Sequence, residues 1–127
     1  MKRGIILTLF VLFSLSASIA QDKKKEKQAE ITLTGEITDV KCYMNGMAND
    51  MGDDHKQCAI DCIKGGLPVG ILEEKTQKLY VLVPSKGMKG ANEELVKYAS
   101  QKVKLTGNFV EKGGAKMFFY TKVEEGK

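Results

Sequence analysis

The sequence predicts one small, mostly β domain, a five-stranded barrel with a short Cys/His helix after strand 1 and a second helix between strands 3 and 4. Residues 31–40 and 102–110 alternate apolar and polar side chains, which is the pattern of half-buried strands. Both segments contain Leu-Thr-Gly, and a glycine inside a strand often marks a tight bend at a barrel corner. All three cysteines and the single histidine lie between these strands, in residues 41–66.

The first residues have the composition of a cleavable signal peptide. Lys2 and Arg3 give a positive start, residues 5–15 are mostly apolar, and small residues precede a cleavage point after Ala20. About 20 apolar residues are needed to cross a bilayer, so this run is too short for a comfortable membrane span. We therefore expect residues 1–20 to be removed, a periplasmic or secreted location, and no stable membrane anchor after cleavage.

The mature chain is predicted to begin with a disordered, charged lead-in at residues 21–29, followed by a single domain at residues 30–127. Removal of the signal peptide leaves 18 basic and 16 acidic residues, a net charge of +2. This charge is too small to indicate nucleic-acid binding, and we expect no nucleic-acid partner. Domains of this size often supplement a modest apolar core with a disulfide or a metal ion.

The remaining elements complete the predicted barrel. Three further strands are expected at residues 68–73, 78–84 and 116–123. The glycine-rich turn at 112–114 indicates a hairpin before the last strand, and residues 91–101 read as a helix that Asn92 could cap. This order of strands and helices is that of the five-stranded Greek-key OB-fold. Another small barrel or an open α+β sheet is the alternative architecture.

The insertion at 41–66 brings together every ligand-type sulfur and imidazole of the chain. A helix is predicted over its second half, where His55, Cys58 and Cys62 are spaced i, i+3 and i+7 and share one face. Cys42 follows the first strand and could close over that face.

The ends of this helix carry recognisable signals. Asp53 or Asp54 is a suitable N-cap, with Gln57 completing a capping box after Asp54. The pair Gly65 and Gly66 predicts the end of the helix.

The first interpretation of the insertion is a metal site. The predicted ligands are Cys42, His55, Cys58 and Cys62. Three thiolates and one imidazole make a complete tetrahedral set for zinc. Met44, Met47 and Met51 could add thioethers, and soft sulfur together with imidazole also suits copper, above all Cu(I). In a closed site the ion would stabilise the fold, whereas in an open site the protein would take up and release the ion.

Three other interpretations remain open. A disulfide from Cys42 to Cys58 or Cys62 would pin the helix and leave one free thiol, as in a non-enzymatic module that binds a peptide, glycan or partner protein. Cys58 beside His55 could be a redox or nucleophilic thiolate. The cysteines could also be small buried apolar groups. No catalytic residue is predicted, since His55 is the only visible general acid or base.

The run from His55 to Cys62, with Cys58 and Ala59 inside it, resembles a motif of small exported bacterial proteins. In these proteins an OB-like β domain has a first strand that ends in a cysteine and a His-x-x-Cys-Ala-x-x-Cys helix. The similarity covers roughly residues 31–123 and extends through the Gly-Gly-Leu-Pro-Val-Gly-Ile-Leu stretch after the helix. The resemblance implies the fold and the grouping of the cysteines with the histidine, but no particular reaction.

Overall fold

The five predicted strands all form, with ends within two residues of expectation. The computed structural model describes residues 29–46 and 51–126. The strands are β1 (Ile31–Asp39), β2 (Val69–Glu73), β3 (Leu79–Pro84), β4 (Lys102–Lys112) and β5 (Ala115–Glu125). The α-helices are α1 (Val40–Met44), α2 (Lys56–Lys64) and α3 (Asn92–Leu95), and 3-10 turns occupy Asp53–His55 and Val96–Tyr98.

The strands are hydrogen-bonded in a closed ring, in the order β1-β2-β3-β5-β4. Strand β1 completes the ring, because it pairs antiparallel with β2 at its C-terminal half and with β4 at its N-terminal half. Strands β3 and β5 run parallel, with Val81 opposite Met117 and Pro84 opposite Tyr120. The other pairings are antiparallel, so the sheet is mixed and the mostly β prediction is confirmed.

The two glycines of the repeated Leu-Thr-Gly segments lie where neighbouring strands approach most closely. A Cβ atom at Gly35 would overlap the backbone carbonyl of Leu72, and one at Gly107 would overlap that of Phe119. Gly107 also lies at a register shift between β4 and β5. The absence of a Cβ atom at these two positions therefore allows the neighbouring strands to lie this close.

One apolar cluster fills the ring and extends beneath the helices. Its fully buried side chains include Ile37 of β1 and Phe118 of β5. Helix α2 contributes Ala59 and Ile63, and α3 contributes Leu95. Burial of each large apolar side chain stabilises the fold by about 1.5–3 kcal/mol. The cluster holds α2 against the sheet and thereby positions the face that carries Cys58.

The predicted helix at 91–101 is wrong in its extent. Helix α3 ends at Leu95 and a 3-10 turn follows, because the backbone becomes extended at Ala99, which pairs with Ile37 of β1. Asn92 is not the N-cap: its side-chain amide donates to the carbonyls of Ile63 and Leu67 at 2.8 and 2.7 Å. Asn92 therefore ties α3 to the end of α2.

Helix α2 ends as predicted but begins differently. Leu67 donates its amide N–H to Cys62 O, and Gly66, at φ 91°, donates to Ile63 O, each at 3.1 Å. This is the Schellman ending that glycine permits. The predicted aspartate cap and capping box are wrong, because residues 53–55 form a 3-10 turn without a side-chain cap and Gln57 donates to Asp61.

The predicted signal peptide at 1–20 and most of the predicted lead-in, residues 21–28, lie outside the described residues. Within residues 29–46 and 51–126, every helix is too short or too polar to cross a membrane.

Candidate metal centre

The end of β1 positions the first cysteine through Asp39, which was not among the predicted site residues. Asp39 is the last residue of β1 and the N-cap of α1, with the extended backbone typical of that position (φ −83°, ψ 137°). Its Oδ1 accepts the amide N–H of Cys42 at 2.8 Å. This cap starts the unpredicted helix α1, and Cys42 is buried on its first turn. The sequence signal that could have predicted this cap is an aspartate three residues before Cys42, at the end of a predicted strand.

The three cysteine sulfurs meet at the junction of α1 and α2. The Sγ atom of Cys42 lies 3.8 Å from that of Cys58 and 4.0 Å from that of Cys62. All three sulfur atoms lie within 4.8 Å of one another. The prediction that Cys42 closes over the helix face is therefore confirmed.

All three cysteines are free thiols, so the alternative interpretation, a disulfide from Cys42 to Cys58 or Cys62, is not seen in this structure. A disulfide requires its two sulfur atoms to be about 2.05 Å apart. The shortest sulfur–sulfur distance that Cys42 makes is 3.8 Å. The sulfurs are in van der Waals contact, and no disulfide links α1 to α2.

His55 joins the same cluster through Asp39. Its Nε2 atom lies 2.9 Å from Oδ2 of Asp39, and the two side chains are 5% and 0% exposed. The ligand atoms of Asp39, Cys42 and His55 also lie within 4.8 Å of one another. Cys42 thus belongs to two triplets of potential ligands. We call the combined set, Asp39, Cys42, His55, Cys58 and Cys62, the thiol–histidine cluster.

The cluster contains a buried negative charge beside protonated thiols. Burial raises the pKa of Asp39, but hydrogen bonds from the Cys42 amide and the His55 ring outweigh it, and this pKa lies below its usual value. Burial and the adjacent Asp39 carboxylate raise the pKa of Cys42 to about 12. Burial and the charge of Asp39 also raise the pKa of Cys62. A bound cation would reverse this effect, because it stabilises the thiolate form.

Asp39, His55 and Cys42 do not have the properties of a nucleophilic triad. Reactive cysteines have lowered pKa values and a path to solvent. Cys42 is 3% exposed and its pKa is raised to about 12. The most accessible thiol is that of Cys58, which is exposed, whereas Cys62 is half-buried. The cluster therefore opens to solvent at Cys58 and is closed around Cys42.

Two of the three methionines predicted as additional ligands lie in the described residues, and neither is fully buried. Met44 is 69% exposed at the end of α1. Met51 is half-buried and lines a hollow of about 260 Å³, together with Glu36 and Leu72. Met47 lies outside the described residues. The cysteines and His55 are therefore the better-supported donors.

The sulfur spacing fits metal coordination. Zinc–sulfur bonds of about 2.3 Å in a tetrahedron place neighbouring sulfur atoms about 3.8 Å apart. The distances from the Cys42 sulfur to those of Cys58 and Cys62, 3.8 and 4.0 Å, are close to that value. The three cysteine sulfurs therefore lie close enough to hold a metal ion, whereas His55 is grouped with Cys42 and Asp39 and not with Cys58 or Cys62.

Comparison of the chain with known protein families, with curated proteins and with solved structures gives no match.

Proposed function

We propose that this protein is a small exported metal-binding protein whose ion is held by the thiolates of Cys42, Cys58 and Cys62, with His55 as the fourth ligand. The observation that carries the proposal is the convergence of three free sulfurs within 4.8 Å of one another, with the Cys42 sulfur 3.8 and 4.0 Å from the other two. Two of them come from α2 and the third from α1, which follows β1. Three thiolates in contact are a soft donor set that suits zinc or Cu(I).

Metal handling is favoured over a purely structural role. Cys58 is exposed, so an acceptor or donor ligand could reach the ion from solvent. The apolar cluster that holds the sheet and α2 together contains no cysteine. The fold therefore has a source of stability that does not depend on the ion. Structural zinc sites, in contrast, are closed and contribute much of the folding energy.

Zinc and copper make different demands on the cluster. Tetrahedral zinc would use all three thiolates and the imidazole. Cu(I) could be satisfied by soft sulfur alone, without His55. Met44 is 69% exposed and Met51 lines a hollow with Glu36 and Leu72, so neither position supports an additional thioether ligand for copper. The imidazole beside Cys42 supports zinc as the first ion to test.

We also propose that the protein is exported to the periplasm or secreted, and that its domain has an OB-like fold. The positively charged start, apolar run and small residues before position 21 support export. The closed strand order, the parallel contact between β3 and β5 and the helix between β3 and β4 support an OB-like fold.

Native mass spectrometry of protein that was purified without a metal-affinity tag tests the proposal. We expect a mass one zinc or copper ion above that of the reduced chain, and the excess should disappear on denaturation. Thiol counting after chelation should find all three cysteines reduced. A metal-free chain two protons lighter than the reduced form would contradict the proposal, because two of the cysteines would then form a disulfide.

A further inference from the structure

The three cysteine sulfurs form a compact group of their own. The Cys42 sulfur lies 3.8 and 4.0 Å from those of Cys58 and Cys62, and all three lie within 4.8 Å of one another. Among the described residues, His55 is grouped with Cys42 and Asp39 instead, and its Nε2 atom lies 2.9 Å from Oδ2 of Asp39. The structure therefore presents one set of three sulfur donors, and the imidazole belongs to a second set.

We infer that the three-sulfur set binds trivalent arsenic, taken up as neutral arsenous acid, through the thiols of Cys42, Cys58 and Cys62 alone. This ligand belongs to a different chemical class from the zinc or copper of the proposed function. The inference uses the same sulfurs as that function but does not require His55 as a ligand. Binding of arsenic can therefore be tested separately from binding of zinc or copper.

The binding reaction balances without an oxidant or a reductant. Arsenous acid carries three hydroxyl groups on one arsenic atom, and each thiol replaces one of them. In each replacement a sulfur–arsenic bond forms and an arsenic–oxygen bond breaks, and the thiol proton leaves with the hydroxyl group as water. The products are one arsenic tri-thiolate and three water molecules, with arsenic still trivalent. The reaction needs three free thiols, and all three cysteines of the chain are free.

Coordination number and charge both suit trivalent arsenic. This soft ion completes its coordination with three donors in a pyramid, because its lone pair occupies the remaining direction, whereas tetrahedral zinc needs a fourth ligand. Three thiolates neutralise a trivalent ion, but they leave a net negative charge on divalent zinc or on Cu(I). Burial of an uncompensated charge is costly, and Cys42 is 3% exposed. A neutral complex therefore fits the closed side of the site.

The fold gathers the sulfurs in advance and leaves one of them open to solvent. The Cys42 amide donates to Oδ1 of Asp39 at 2.8 Å, which holds Cys42 at the start of α1. Cys58 and Cys62 lie one turn apart on α2. Cys58 is exposed, so a small neutral molecule can bond to its sulfur first and then to the other two. Donors that are already gathered bind at a smaller entropic cost than separate thiols, so a free monothiol should compete poorly.

X-ray absorption spectroscopy at the arsenic edge tests the inference on reduced wild-type protein with one equivalent of arsenite. We expect three sulfur neighbours around arsenic and no oxygen or nitrogen neighbour. The intact mass should rise by one arsenic atom less three hydrogen atoms, and the complex should persist in an excess of a monothiol. An oxygen or nitrogen neighbour in the wild-type spectrum would overturn the inference, as would loss of the arsenic to the monothiol.

The variant Cys58→Ser tests the contribution of the exposed sulfur and leaves the buried part of the cluster in place. Arsenic in this variant should have two sulfur neighbours and one oxygen neighbour, and the monothiol should remove it. The matched control is Met44→Leu, which removes an exposed thioether sulfur from α1 and should keep three sulfur neighbours. An unchanged sulfur count in Cys58→Ser would contradict the inference. If this variant does not fold, the wild-type spectrum still decides.

The outcomes separate the inference from the proposed function. If arsenic binds through three sulfurs while the protein takes up neither zinc nor copper, the inference stands and the proposed function fails. If zinc or copper binds and arsenic does not, the proposed function stands and the inference fails.

Discussion

The sulfur of Cys42 lies 3.8 Å from the sulfur of Cys58, although the two residues are 16 positions apart in the chain. Cys42 reaches this place because Asp39 caps the helix that follows β1, and Cys58 because the apolar face of α2 packs against the sheet. The contact therefore depends on the closed sheet and on two separate helix starts. It is held without a disulfide, which leaves the sulfurs free for an ion.

Replacement of Cys58 by serine should greatly weaken metal binding. The exposed Cys58 contributes little to the core, so Cys58→Ser should fold normally while the site loses one of three thiolates. Loss of a residue that only hydrogen-bonds to a metal ligand lowers the metal affinity by about 10–100-fold. Loss of a ligand itself should therefore lower the affinity by more than about 100-fold. Competition with a chromophoric chelator measures this change.

The matched control for this prediction is Met44→Leu, which removes an exposed sulfur from the same part of the fold. It should retain the wild-type affinity. Equal affinities for Cys58→Ser and wild type would show that the ion does not bind at the three sulfurs.

Metal affinity should rise with pH. The pKa of Cys42 is raised to about 12 and that of Cys62 is also raised, so both thiols keep their protons in the metal-free protein at neutral pH. An ion must displace these protons to bind, and acid therefore favours release. For each proton that the ion displaces, we expect the metal affinity to fall about tenfold when the pH is lowered by one unit.

Chelator competition between pH 6 and pH 8, corrected for protonation of the chelator, measures this dependence, and proton release on binding can be followed in weakly buffered solution. An affinity that does not vary with pH would mean that the ion binds without displacing thiol protons.

Removal of the Tyr120 hydroxyl should destabilise the fold modestly. This hydroxyl donates to Oε2 of Glu94 at 2.8 Å and connects β5 to α3, while the ring is buried in the core. Tyr120→Phe keeps the ring and loses the hydrogen bond, at a cost of about 1 kcal/mol in the free energy of unfolding. Urea unfolding of metal-free protein measures it.

Tyr98→Phe serves as the control, because the Tyr98 hydroxyl has no hydrogen-bond partner in the part of the chain that the structure describes. Its unfolding free energy should equal that of wild type within about 0.5 kcal/mol. Equal stability of Tyr120→Phe and Tyr98→Phe would argue against a stabilising contact between Tyr120 and Glu94.

The substitution Gly35→Ala should be strongly destabilising. The added Cβ would overlap the backbone carbonyl of Leu72, and a strand backbone cannot move aside as a flexible side chain can. Overpacking of this kind costs about 1–3 kcal/mol. Thermal and urea unfolding measure the loss, with Thr32→Ala at an exposed position of β1 as the control. A Gly35→Ala protein as stable as wild type would show that β1 and β2 do not approach closely there.

Several features of the fold follow from local sequence patterns. Alternation of apolar and polar residues predicted β1 and β4, because a pleated strand with one buried face imposes a period of two. Short apolar runs beside turn residues predicted the other three strands. The pair Gly65 and Gly66 predicted the end of α2. Gly35 and Gly107 were predicted to mark bends, and the structure shows close contacts between strands at both positions. Such patterns act over a few residues and can be read without knowledge of distant contacts.

Other features depended on contacts between distant segments. The clustering of the cysteines and the histidine in one insertion predicted a common site, but only the packing of α2 against β1 determined that the sulfurs meet without bonding. Asp39 was missed because its partner His55 is 16 positions away. Asn92 caps no helix, since the free carbonyls at the end of α2 compete for its amide. The sequence by itself determined which groups could form a site, and the tertiary structure decided how they are paired. The physical reason is that buried polar groups must form hydrogen bonds, and their partners here lie too far away in the chain to be read from a local pattern.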